Sequence, residues 1–117
     1  MSHGGRPRGI RESAELARLR NEIDELDRRI VALINERANL VRAVGHEKVA
    51  LRRRFVRDRE REREVLLRIT IANEGPTPQA DIIAIYRRLI ASARALETAE
   101  RERLRRDDDE PGEPPSA

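Results

Sequence analysis

The stretch LRNEIDELDRRIVALINERANLVRAV, residues 19–44, decides the fold. Its apolar side chains Leu19, Ile23, Leu26, Ile30, Leu33, Leu40 and Val44 follow one another in steps of four and three, with one interruption. That alternation is the seam of a helix made to lie along another helix. Extending outward, the pattern predicts a helix from about Ser13 to about Leu51, with no Pro or Gly inside it before Gly45. A helix of ~38 residues is about 57 Å long at 1.5 Å per residue. A compact domain of about 100 residues has a radius of gyration of only about 13 Å. The rest of a 117-residue chain is too short to cover such a stripe. The seam therefore calls for a second copy of the chain.

Two further helices follow. The first is expected from about Asp58 to Asn73, charged at its start and then apolar through Val65, Leu66, Leu67, Ile69 and Ile71. The turn Asn73-Glu74-Gly75-Pro76 stops it. Thr77 is then the expected N-cap, with Pro78 at the first helical position, of a third helix reaching about Arg106. That helix is expected to bury Ile82, Ile83, Tyr86, Leu89, Ile90, Ala93 and Leu96. No strand and no internal repeat is expected. Residues 1–12 (Gly, Pro and Arg without periodicity) and 107–117 (acidic and Pro-rich) read as disordered tails around one helical domain, 13–106. The fold class is thus all-α, a three-helix chain with one very long N-terminal helix.

Composition narrows the function. Charged residues make up 40% of the chain, hydrophobic ones 38% and aromatic ones 2%. One Phe, one Tyr and no Trp cannot fill an ordinary globular core, whereas interdigitating aliphatic helices from two chains can. The net charge of +3 is small, and Arg and Glu interleave as on a solvated helix face. With no basic block and no aromatic platform for base stacking, nucleic acid is not the expected partner. Cysteine is absent, which removes thiol and disulfide chemistry. The opening residues have no apolar core of a signal peptide, and no apolar run is long enough to span a bilayer, so no membrane role is expected and the expected compartment is the cytoplasm. No metal-ligand cluster is apparent; His3 falls in the head segment and His46 stands alone, and both read as non-catalytic.

The informative residues break the apolar pattern. Continuing the alternation from Leu33 lands on Arg37 before Leu40 and Val44, and one turn beyond Val44 lies Lys48. On the third helix Tyr86, Ile90 and Ala93 lead by the same rule to Glu97. Buried without a partner, each charge would cost several kcal/mol. They must pair with one another or line a polar cavity. Arg37 also fits a register-setting role in a coiled coil, and Glu97 also fits a stripe fading into solvent. Lys48 is the one lysine among 25 Lys and Arg residues, so a compact ammonium stands where the chain otherwise uses a planar fork. The run Arg57-Asp58-Arg59-Glu60-Arg61-Glu62 is by itself compatible with plain i,i+4 surface pairing.

The order of these residues adds what composition lacks. Leu19-Arg20-x-x-Ile23-x-x-Leu26-Asp27, then Leu33-Ile34-x-x-Arg37, Val44-Gly45-x-x-Lys48 and Val56-Arg57-Asp58-x-x-Arg61-Glu62, resembles the AroQ-type chorismate mutases over roughly residues 16–98. The resemblance implies an intertwined homodimer of three-helix chains with two sites, each drawing on both subunits. Arg20 and Lys48 are 28 residues apart, about 42 Å along a straight helix, so Arg20 joins Lys48 only across an antiparallel dimer. Arg37 is about 16 Å from Lys48 by the same rise, within reach of two long side chains.

The implied roles follow from the same resemblance. Arg20 from the other chain, Arg37 and Arg61 would hold the two carboxylates of chorismate. Lys48 would donate to the ether oxygen of the breaking bond. Asp58 and Glu62 would bind the ring hydroxyl, Arg57 would support the rim, and Val44, Val65 and Ile90 would form apolar walls. The implied reaction is a Claisen rearrangement to prephenate on the route to Phe and Tyr, which needs no cofactor, metal or nucleophile. Two departures stand out. Ala93 and Glu97 occupy positions where many family members have Ser and Gln, so a hydroxyl contact is lost and Glu97 is expected to act protonated, as a neutral donor, as in fungal relatives. The Arg52-Arg53-Arg54 loop also carries one extra residue. Isochorismate-pyruvate lyase, which shares the fold and the arginine cage, and a non-catalytic helical dimerisation module remain alternatives. A partner enzyme of the same pathway also stays open.

Overall fold

The structure, a computed structural model, describes residues 13–52 and 57–109. It contains α1 (Ala14–Ala50), α2 (Arg59–Ala72) and α3 (Gln79–Asp109), with no strand among the described residues. The chain divides into two compact units, Met1–Arg37 and Ala38–Ala117.

In the first unit, Ser13 caps α1. Its Oγ accepts the Leu16 N–H at 3.0 Å and its carbonyl accepts the Ala17 N–H at 3.0 Å, which satisfies donors that a helix start leaves open. Arg18 bridges Glu15 and Glu22, and Arg28 pairs with Glu25, all on the solvated side. The seam itself is bare: Leu19, Ile23, Leu26, Ile30 and Leu33 are 43–59% exposed. A contiguous apolar stripe of this kind marks a contact surface.

The second unit holds the last turns of α1 with α2 and α3. Pairs between residues 62 and 94, and between 70 and 79, run the two later helices antiparallel. Their connection is closed by side chains. Asn73 donates to the Thr77 carbonyl and to Gln79 Oε1 and accepts the Gly75 N–H, while Gln79 Nε2 donates to the Thr70 carbonyl. Gly75 sits at φ +78°, a left-handed conformation that glycine adopts without steric cost, and the Gly75–Pro76 bond is cis. Gly45 is buried where α1 meets α3. A Cβ there would lie 3.5 Å from Glu97 Cα and 3.6 Å from Glu100 Cβ, an ordinary contact.

Several expectations shift by a turn or less. Ile82 N–H bonds to the Pro78 carbonyl, so Pro78, not Thr77, occupies the cap position of α3. That helix continues to Asp109, three residues past the expected end at Arg106. Of the seven apolar α3 residues expected inside, only Ile90 is buried; the other six are half-buried, because the neighbouring helices of one chain cover only part of that face. Leu40, Val44, Leu67 and Ile71 are exposed. Residues 1–12, Arg53, Arg54, Phe55, Val56 and 110–117, with the expectations placed on them, lie outside the described residues.

Candidate active site

Lys48 is in the last turn of α1. Its Nζ donates to Glu97 Oε1 on α3 at 2.6 Å, with the two side chains 22% and 21% exposed. Two of the three charges that interrupt the apolar stripes thus neutralise each other across helices. Ala93 and Ile90, one and two turns earlier on α3, provide apolar surface on the same face.

A second cluster lies on α2 and α3. Glu62, in the first turn of α2 with a side chain 15% exposed, receives Arg57 through Nε at 3.0 Å and Nη2 at 2.9 Å. Arg94 Nη1 reaches both carboxylate oxygens, at 2.9 and 2.8 Å. Burial pushes the Glu62 carboxyl up, but the hydrogen bonds and charges of Arg57 and Arg94 together outweigh it and hold the group below the usual carboxylate range. Arg94 and Glu97 are one turn apart on α3, about 4.5 Å of rise, so the two clusters adjoin along one helix.

Asp58 is the N-cap of α2, its Oδ1 accepting the Arg61 N–H at 2.9 Å. The Arg61 side chain is exposed and pairs with Glu64 at 3.3 Å, the i,i+3 surface arrangement that its run of alternating charge also allowed. Val65 is half-buried and Val44 is half exposed. Arg20, exposed, and Arg37, half-buried, belong to the first unit. The structure therefore gathers Lys48 with Glu97 and Arg57 with Glu62, and places Asp58 and Arg61 one turn or less away along α2. His46 is exposed.

Residues not anticipated from sequence complete the picture. Arg94 is one. Another is Glu100, the one buried charged residue among those described, at 6% exposure. Arg103 holds it at 2.6 and 3.3 Å and Arg42 stands at 3.6 Å. Hydrogen bonding from Arg103, against an opposing burial effect, lowers its carboxyl below the ordinary value, and Arg42 adds to the lowering. The alternation that leads from Ala93 to Glu97 lands next on Glu100, so its inward position was readable. Arg94 left no such signal, because its partner is 32 residues away. Among the described residues no His, Cys, Asp or Glu group forms a metal site, and no helix is long and apolar enough to cross a membrane.

This arrangement offers an anchored ammonium beside apolar surface and an ionised acceptor held by two guanidiniums. Residues 19–98 match the family model described as chorismate mutase type II. The chain is 38% identical over 87 residues to the bifunctional chorismate mutase/prephenate dehydratase of Aquifex aeolicus, covering 71% of this chain and 24% of that protein. The protein of the same description from Neisseria gonorrhoeae is 37% identical over 78 residues, covering 67% of this chain and 21% of the relative. The chain thus spans about a quarter or less of the length of these curated relatives. The solved structure of a chorismate mutase from Thermus thermophilus aligns with a TM-score of 0.67 at 31% identity, covering 72% of this chain and 94% of that one. Because the matched span takes in Lys48, Glu62, Arg94 and Glu97 together with most of all three helices, the chain belongs to the chorismate mutase type II family.

Proposed function

We propose that the chain rearranges chorismate to prephenate, as an intertwined homodimer with two sites shared between subunits. The observation that carries this reading is the 2.6 Å pair between Lys48 and Glu97 on facing helices. In the reaction the ether C–O bond breaks as a C–C bond forms within the same molecule, and negative charge grows on the ether oxygen. An ammonium already fixed in place stabilises that charge without reorganising. Glu97 accepts the Lys48 ammonium through Oε1 and so holds it in place for the ether oxygen.

Arg37, Arg61 and Arg20 of the partner subunit bind the substrate carboxylates with charge-assisted forks. Substrate binding then draws Arg61 from its exposed pairing with Glu64. Asp58 and Glu62 accept the ring hydroxyl, Arg57 supports the rim, and Val44, Val65, Ile90 and Ala93 provide walls. Holding the substrate in its compact conformer removes much of the barrier. An acceleration of ~10⁶ requires about 8 kcal/mol, within reach of conformer selection plus a few focused charges. The bare α1 seam supports the dimer.

The test is direct. Purified protein is incubated separately with chorismate and with isochorismate. Prephenate from the first supports the reading, and salicylate with pyruvate from the second, without prephenate, replaces it with the lyase. Turnover of neither substrate leaves the helical dimerisation module.

A further inference from the structure

Glu62 carries more positive charge than a hydroxyl acceptor needs for binding alone. Its Oε1 receives Arg57 Nε, Arg57 Nη2 and Arg94 Nη1, whereas Oε2 receives Arg94 Nη1 alone. A carboxylate oxygen has about two lone-pair sites. Oε1 is therefore saturated, and Oε2 retains capacity to accept one more donor. The two arginines are not equivalent. Arg57 precedes α2 and is half exposed, and it engages a single oxygen. Arg94 comes from the middle of α3 and spans both oxygens, which stops the carboxylate from rotating and ties the start of α2 to α3.

We propose that Arg94 is a positioning residue for the rearrangement, its guanidinium fixing the Glu62 carboxylate so that Oε2 is presented to the ring hydroxyl of the substrate. This rests on the assignment of Glu62 to that hydroxyl. Arg94 acts through Glu62 and touches no reacting atom. The charged groups facing Glu62 are Arg57, from the segment leading into α2, and Arg94, from α3. Loss of Arg94 leaves Glu62 both free to turn and easier to protonate.

The experiment measures kcat and KM for chorismate against pH in the parent, Arg94→Ala, Arg94→Gln, Glu62→Gln and the double variant Glu62→Gln/Arg94→Ala. Removing the Arg94 hydrogen bonds to the charged Glu62 predicts a fall of about tenfold or more in kcat/KM for Arg94→Ala. The acid limb of its profile moves to higher pH. Arg94→Gln, which keeps a donor of similar reach without the charge, recovers part of the rate but shows the same displaced limb, and it decides the matter if Arg94→Ala does not fold. In the Glu62→Gln background, removing Arg94 has little further effect on kcat/KM. An impaired Glu62→Gln beside Arg94 variants with parental rates and an unmoved acid limb overturns the proposal alone. An equal loss from Arg94→Ala in both backgrounds also overturns it, since Arg94 would then act independently of Glu62. Parental turnover by Glu62→Gln instead removes the hydroxyl assignment on which the proposal rests.

Discussion

Replacing Ile30 with Asp tests the bare seam. Ile30 lies mid-stripe on α1 and is 52% exposed. Full burial of an Ile side chain contributes about 1.5–3 kcal/mol, so covering the exposed half contributes about 1 kcal/mol per chain, or about 2 kcal/mol for two chains. Ile30→Asp forfeits that and brings a carboxylate from each chain to an apolar interface, where an unpaired charge costs several kcal/mol. The sum is at least about 5 kcal/mol, which raises the dissociation constant by a factor of ~10³ or more. Sedimentation velocity over a dilution series reads this directly. The parent is expected as a dimer and Ile30→Asp as a monomer at the same concentration, with helicity by circular dichroism reduced, since a long helix without packing is marginal in water. Arg28→Gln, on the opposite face, leaves association unchanged. A monomeric parent, or an Ile30→Asp variant that dimerises as tightly as the parent, refutes the reasoning.

Other consequences concern stability. Ile90→Ala, at the one buried apolar side chain among the described residues, lowers unfolding free energy by about 2–3 kcal/mol, the low end for such truncations because its surroundings are only half-buried and relax; denaturant unfolding checks this, and a change under about 0.5 kcal/mol contradicts it. Arg52, in the turn just past α1, sits at φ +56°, a conformation costly for a side chain with Cβ. Arg52→Gly should stabilise by about 0.5–1 kcal/mol, read as a higher denaturation midpoint. Glu62 and Glu100 are both held below the ordinary value of 4.5, so their contribution is complete above that value and is lost as pH falls through the lowered folded values. The midpoint of urea unfolding should therefore drop on acidification, and less steeply in Glu100→Gln; equal slopes in parent and variant would contradict that account.

The parts of the fold set by local chemistry were readable in the residues. The alternation from Leu19 to Val44 gave α1, Ser13 its cap, and the Asn73–Pro76 turn the end of α2. The α3 start was misplaced by one residue because the Pro78 carbonyl, not the Thr77 side chain, anchors the first turn. In the site, Lys48 and Glu97 were visible as charges on apolar stripes, and their pairing was one of two outcomes that burial permits. The Arg94–Glu62 bond was not visible, because it depends on how α2 packs against α3, and no spacing within either helix encodes that. Glu100 differs from Arg94 in that its inward position is legible, since the periodicity through Ala93 and Glu97 continues to it.

The measurement closest to the central claim, a site completed by the second subunit, is complementation between two inactive variants. Arg20→Ala and Lys48→Ala are each expected to turn over chorismate poorly as homodimers. Unfolded together and refolded, they form mixed dimers in which one site receives both mutations and the other neither. Random pairing then restores about a quarter of the parental activity, since half the dimers are mixed and each has one intact site. Activity in the mixture no greater than the mean of the two variants would contradict the account.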